Sequence, residues 1–181
     1  LLAQARPDII VWSGSKGVTL GFPVDQALCR RITDETSIPA TTSTLALQAA
    51  LSRISGRRIA VVSPYGAAYQ GKLVKRFGEE GFDVVAEAHA GIADNLDFAA
   101  MSDGAIAAMI RAVAAAKPDA ILTWCTNMPA AYGVDGLERE LGIPILDSTV
   151  LAVWHALSLI GSLDGRGRRW GRLFDARGLT S

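Results

Sequence analysis

The chain's 181 residues, half of them hydrophobic, suffice for one domain or for two small lobes that share a core. Lys+Arg and Asp+Glu balance at 18 each, which gives no electrostatic ground for a nucleic-acid or anionic-membrane partner and points to a small, weakly charged one. The longest apolar stretches, 105–116 and 120–124, are broken by Arg111 and Lys117, so none reaches the roughly 18 uninterrupted residues of a membrane span.

From the start, Leu1-Leu2-Ala3-Gln4-Ala5-Arg6-Pro7 reads as the tail of a helix entering a strand, so the chain is expected to begin mid-fold. Strands are expected at 8–12, 59–63, 82–86, 120–124 and 143–146, each a short apolar or β-rich run behind a turn signal. Helical spacing fills the intervals at 23–33, 42–54, 67–80, 102–116, 128–141 and 149–160. This alternation predicts an α/β fold with parallel sheets flanked by helices and right-handed crossovers. Beyond Gly161 the composition shifts to Gly and Arg, with Arg166, Arg168, Arg169, Arg172 and Arg177 expected as a surface tail.

Ligands in such folds bind beyond the carboxyl ends of the strands. Four loops lie there: Ser13-Gly14-Ser15-Lys16-Gly17, Ser63-Pro64-Tyr65-Gly66, Gly91-Ile92-Ala93-Asp94-Asn95 and Cys125-Thr126-Asn127, all rich in small hydrogen-bonding groups. The first fits neither GxGxxG nor GxxxxGK[ST], but its backbone N–H groups and the hydroxyls of Ser13 and Ser15 suit a carboxylate or an enediolate. Tyr65 and Asn95 offer further donors, or stabilise their turns.

Cys125 follows an apolar strand, and Thr126 or Asn127 is placed to cap the next helix with Pro129 in its first turn. A thiol at a helix amino terminus is expected to ionise below its usual value of about 8.5, which suits a nucleophile or proton carrier; the competing reading is a buried small hydrophobe. His89 and His155 are the histidines available to a cysteine hydrolase, and His89 is the better placed. Cys29 lies inside a helical pattern and reads as core. Two cysteines without CxxC spacing and two histidines without ligand spacing make neither a disulfide framework nor a metal site, and a reducing cytoplasm is the expected location.

Taken together, Ser13-Gly14-Ser15, Pro39-Ala40-Thr41-Thr42-Ser43, Ser63-Pro64-Tyr65, Asp94-Asn95 and Cys125-Thr126-Asn127 resemble the maleate isomerase and arylmalonate decarboxylase branch of the aspartate/glutamate racemase superfamily. The ending Trp170-Gly171-Arg172-Leu173-Phe174 is similar too. The resemblance implies two pseudo-symmetric flavodoxin-like lobes with the site between them. On this chain they would be 1–62 with part of the carboxyl-terminal end and 63–160, with 161–181 as the tail. It also implies no cofactor, no metal and a small mono- or dicarboxylate substrate. Dimerisation is common in that family, so a homo-oligomer is possible. Carried over, Cys125 becomes the catalytic thiol; Tyr65, Asn95, Thr126 and Asn127 hold carboxylate oxygens; Ser13, Gly14 and Ser15 line an opposing oxyanion pocket, with Trp12 as a wall.

Two departures matter. Racemases and maleate isomerases of that superfamily use a thiol from each lobe, but the first-lobe loop here reads Val11-Trp12-Ser13-Gly14-Ser15. A single second-lobe thiol is the arylmalonate decarboxylase arrangement, in which an enediolate left by carbon dioxide is protonated on one face. The expectation is therefore a decarboxylase-like enzyme, with maleate cis–trans isomerisation and non-catalytic carboxylate binding as the alternatives. The family also opens with a further strand and helix, absent here, whose loop contributes to carboxylate binding.

Overall fold

The computed structural model describes residues 2–54, 56–163 and 167–175. It contains two parallel sheets. The smaller pairs β1 (Ile10–Trp12) with β2 (Ala40–Thr42), and the larger runs β4 (Asp83–His89), β3 (Arg58–Ser63), β5 (Ala120–Thr123), β6 (Ile145–Asp147) in spatial order. The α/β expectation is met, and the central strands show why. β5 is buried along its whole length and β3 everywhere but Arg58, as strands covered by helices on both faces must be. Edge strand β4 alternates partly buried residues with exposed Asp83 and Glu87, charges that discourage pairing with another chain.

The helices are α1 (Phe22–Thr36), α2 (Ser43–Leu51), α3 (Ala67–Glu79), α4 (Asn95–Ala99), α5 (Asp103–Ala114), α6 (Val134–Leu141) and α7 (Ser148–Leu159). Their boundaries have local causes. Ser37 (φ 57°) and Gly142 (φ 72°) end α1 and α6 in the left-handed conformation, where glycine has no Cβ to clash. Side-chain oxygens cap the other ends: Thr42 accepts from Leu45 N–H, Ser102 from Ala105 N–H, and Asp147 from Thr149 and Val150 N–H.

Three expectations need correction. The strand β2 and the short helix α4 lie in stretches read as loop or helix start. The segment after Cys125 is not a helix: turns run to Ala130, a 3-10 turn covers Ala131–Gly133, and α6 begins only at Val134. A lobe boundary at 62/63 would cut β3, which belongs wholly to the larger sheet, and α7, placed with the second lobe, packs on β1, β2 and α2.

The fold repeats itself. Ser37-Ile38-Pro39-Ala40-Thr41-Thr42-Ser43-Thr44 and Gly142-Ile143-Pro144-Ile145-Leu146-Asp147-Ser148-Thr149 run from a left-handed helix end through a proline into a three-residue strand and a capped helix. The two helices so produced, α2 and α7, pack against each other and join the halves. Of the arginine-rich tail, Arg166 and Arg177 lie outside the described residues. Arg172 is tied down by bonds from its guanidinium to the Gly142 and Glu138 carbonyls. Among the described residues no helix is long and apolar enough to cross a membrane, and no group of three or more His, Cys, Asp or Glu is placed to hold a metal.

Candidate active site

A cleft of about 540 Å³ opens where the loops of the two sheets meet. Its second-lobe wall is Tyr65, Asn95, Cys125, Thr126 and Asn127. Opposite elements of the first lobe supply Gly14, Ser15, Lys16, Asp25 and Trp12. Of the residues carried over to the site by resemblance, Gly14, Ser15, Tyr65, Asn95, Cys125, Thr126 and Asn127 line the cleft, whereas Ser13 is exposed and does not. Of the expected Ser13-Gly14-Ser15 group, only Gly14 and Ser15 line the cleft.

The loop after β3 is fixed by its own hydroxyl. Ser63 Oγ donates to Gln70 Oε1 at 2.6 Å and accepts from Tyr65 N–H at 3.3 Å, turning Tyr65 into the cleft. The loop after β4 is laced to it: Gly91 N–H donates to the Tyr65 carbonyl and Ile92 N–H to that of Pro64, with Gly91 at φ 73° making the bend. Tyr65 is 4% exposed and its ring sits edge-on to Tyr69 and Phe98, at centroid distances of 4.6 and 5.4 Å. Burial pushes its hydroxyl well above the usual phenol range; the adjoining Cys125 thiol pushes the same way and the Ser15 hydroxyl opposes. Tyr65 is thus a phenol throughout the neutral range, 3.0 Å from Ser15 Oγ, and a hydrogen-bond donor rather than a base.

Ser15 is itself anchored from across the cleft. The fully buried Trp124 donates its indole N–H to the Ser15 carbonyl at 2.9 Å and packs edge-on against Phe77. Gly14 lies under the Trp12 indole, where a Cβ would come within 2.8 Å of Nε1. Trp12 walls the cleft as expected.

Cys125 is 3% exposed. The helix terminus assigned to it from sequence is absent, because turns separate it from α6; a single backbone group takes that place. Asn127 N–H points at Cys125 Sγ at 3.4 Å, a donor suited to a sulfur that carries negative charge. The Asn127 side-chain amide donates to the Asn95 carbonyl, binding the loops after β4 and β5 together. Thr126 lines the cleft and accepts from Thr149 through its carbonyl.

Neither histidine reaches this site. His89 pairs with Glu87 at 3.0 Å, and His155 shares a 2.8 Å bond with Thr41 and is held below its ordinary value by burial, then by Arg53. Cys29 lies outside the cleft as a core residue, its thiol raised by burial and then by Asp25. Sequence reasoning missed the whole contribution of α1 and the 3-10 turn before it: Thr19, Leu20, Val24, Asp25 and Leu28. The signal available was an acid on an otherwise apolar stripe, since Phe22, Asp25 and Cys29 form the buried face of α1.

The arylmalonate decarboxylase family profile matches residues 10–174, nearly all of the described fold. The chain belongs to this family. The maleate isomerase of Nocardia farcinica is 28% identical over 170 residues, which are 90% of this chain and 66% of that protein. The arylmalonate decarboxylase of Bordetella bronchiseptica is 27% identical over 160 residues, 86% of this chain and 65% of that protein. The chain thus spans just under two-thirds of the curated relatives it matches. A solved mutant of the Nocardia farcinica maleate cis–trans isomerase, with a covalently bound succinylcysteine intermediate, superposes with a TM-score of 0.77 at 27% identity. That match covers 90% of this chain and 68% of the other. Both kinds of relative share the arrangement of parallel sheets flanked by helices, so family membership fixes the fold.

Proposed function

We propose that the protein to which this chain belongs is a cofactor-independent decarboxylase acting on a small substituted malonate, with Cys125 as the proton donor. The observation that carries the reading is the pairing of one buried thiol in the cleft wall with a first-lobe loop, Ser13 to Ser15, that has none. Breaking the bond to one carboxylate releases carbon dioxide and leaves its electron pair on the remaining carbon as an enediolate. The Cys125 S–H proton then passes to that carbon, and the thiolate is reprotonated from water. Preorganised donors lower such a barrier most where charge develops. The Tyr65 hydroxyl, Ser15, and the Asn95 and Asn127 region supply them, while Asn127 N–H steadies the sulfur once its proton has left. Leu20, Val24, Leu28 and Trp12 form an apolar side that disfavours the departing carboxylate. No metal is needed for this chemistry, and the reading places the protein in the cytoplasm as a soluble enzyme.

The test is incubation of the full-length protein with aryl- and alkylmalonates in D₂O. Carbon dioxide and a monodeuterated acid are expected, both lost in Cys125→Ala. If neither forms, or if Cys125→Ala behaves as the parent, the reading is wrong.

Maleate cis–trans isomerisation stays as the second reading because the Nocardia farcinica relative carries that name and a related structure holds its intermediate on a cysteine. Fumarate formed from maleate and abolished by Cys125→Ser would favour it. Should the site only bind carboxylates, iodoacetamide near neutral pH would leave Cys125 as unreactive as Cys29.

A further inference from the structure

The cleft contains a charge that neither reaction uses. Asp25 sits in the first turns of α1, 4% exposed, yet its carboxylate lines the cleft and has no hydrogen-bond or ion-pair partner among the described residues. Its oxygens open on the cleft rather than being sealed in the interior, so a ligand that expels water from the cleft has to supply the hydrogen bonds that water gives them. The backbone makes room for the carboxylate. A Cβ on Gly17 would fall 3.0 Å from Asp25 Oδ2, so glycine there lets the 3-10 turn close over the carboxylate without displacing it. Lys16, on the same turn, is likewise outside any ion pair among the described residues, its ammonium 5.9 Å from the centre of the Tyr65 ring. The cleft is thus lined by one cation and one anion that form no ion pair with each other.

A ligand made only of carboxylates and hydrocarbon satisfies Lys16 and the amide and hydroxyl donors but meets repulsion at Asp25. One that carries a hydrogen-bond donor besides its carboxylate satisfies both. We propose that Asp25 sets the specificity of the site, accepting a hydrogen bond from a hydroxyl or ammonium group on a small carboxylate whose acid group lies by Lys16 and Asn127. The proposal rests on the decarboxylase reading and narrows its substrate to hydroxy- or amino-substituted malonates.

Binding, measured by calorimetry on the full-length protein in a Cys125→Ala background, separates this from the question of turnover. Hydroxymalonate, aminomalonate and methylmalonate differ in one small substituent: hydroxyl, ammonium or methyl. A hydrogen bond to a charged group predicts about tenfold tighter binding of the first two than of the third. Asp25→Asn, which keeps the shape and removes the charge, should bring the three within about twofold, chiefly by tightening methylmalonate. A larger gain for aminomalonate than for hydroxymalonate identifies the donor as a cation, and the reverse identifies a hydroxyl. If Asp25→Asn does not fold, judged by circular dichroism, Gly17→Ala keeps the charge but displaces it and should also erase the preference. Equal affinities in the parent, no binding of any of the three, or a preference that survives these substitutions overturns the proposal. A preference with no carbon dioxide released by the Cys125 protein overturns the decarboxylase reading alone.

Discussion

At the scale of single residues, burial sets the protonation state of the phenol in the cleft wall. Tyr65 is kept a phenol by burial and by the neighbouring thiol, so in the proposed reaction it would donate one hydrogen bond to developing charge. Tyr65→Phe keeps the edge-on stack with Tyr69 and Phe98 and removes only that donor. Turnover should fall about a hundredfold, with little change in KM, as when an oxyanion donor is removed elsewhere; steady-state kinetics on the malonate that the parent turns over checks it. Trp124→Phe probes the other anchor. It retains an aromatic ring against Phe77 but strands the Ser15 carbonyl, and should cost about 1–3 kcal/mol of stability in urea unfolding. Cys125, Tyr65 and Ser15 were legible because each follows a strand and carries chemistry. Asp25 was not, because an acid near a helix start is ordinarily a surface group favoured by the helix dipole, and only its three-residue offset from Phe22 and four-residue offset from Cys29 betrayed a buried position.

At the scale of elements, the strands that flank the site were read well where they were long and apolar, and badly where they were three residues long. Ala40–Thr42 is too short to show alternation, and its Thr-Thr-Ser-Thr continuation looks like a helix start, which is what it becomes one residue later. The pairing that makes it a strand, with Ile10–Trp12, is a long-range contact that no local window contains. The same pattern at Gly142–Thr149, with Asp147 in the place of Thr42, was the clue that could have recovered it. The helix predicted directly after Cys125 failed for a related reason. Pro129 and the small residues around it are compatible with a first turn, but Asn127 is occupied in bridging to Asn95 and Sγ instead of capping. Caps that do form are testable. Thr42→Ala removes the acceptor for Leu45 N–H at the start of α2, the helix that joins the halves through α7, and should cost about 1 kcal/mol by thermal or urea denaturation. Thr42→Asn, another capping residue, should recover most of that loss.

Across the whole molecule, two buried carboxylates hold the second lobe together and make its stability depend on pH in an unusual direction. Asp147 caps α7 and accepts from Thr123, while Glu138 accepts from Ile145 N–H at 2.8 Å and Arg172 N–H at 2.6 Å, clamping β6 and the chain before Leu173 and Phe174 onto α6. Burial raises both: Asp147 from 3.8 to about 6, and Glu138 upward despite its backbone donors and Arg172. A carboxyl group raised in the folded state binds its proton more tightly there than in the unfolded chain, so folding is favoured below the folded value and loses that advantage as pH rises through it. For Asp147 the window runs from about 4 to about 6, and a shift of about two units corresponds to roughly 3 kcal/mol. His155, held below its ordinary value by burial, works the other way, favouring folding as pH rises towards neutrality, so the comparison of the parent with Asp147→Asn is what isolates the carboxyl group. The exposed pairs of Glu79 with Lys75 and Glu140 with Arg111 have lowered acid values, so their small contributions are lost only as the medium becomes more acidic. Urea midpoints should therefore be higher near pH 5 than near pH 8. Asp147→Asn keeps an oxygen for the α7 cap and removes the ionisation, so it should flatten the profile between those values, and Glu138→Gln added to it should flatten it further. A parent profile that rises steadily from pH 5 to pH 8, or an Asp147→Asn profile of unchanged slope, would mean that the burial of these two groups is offset by contacts stronger than the backbone donors that hold them.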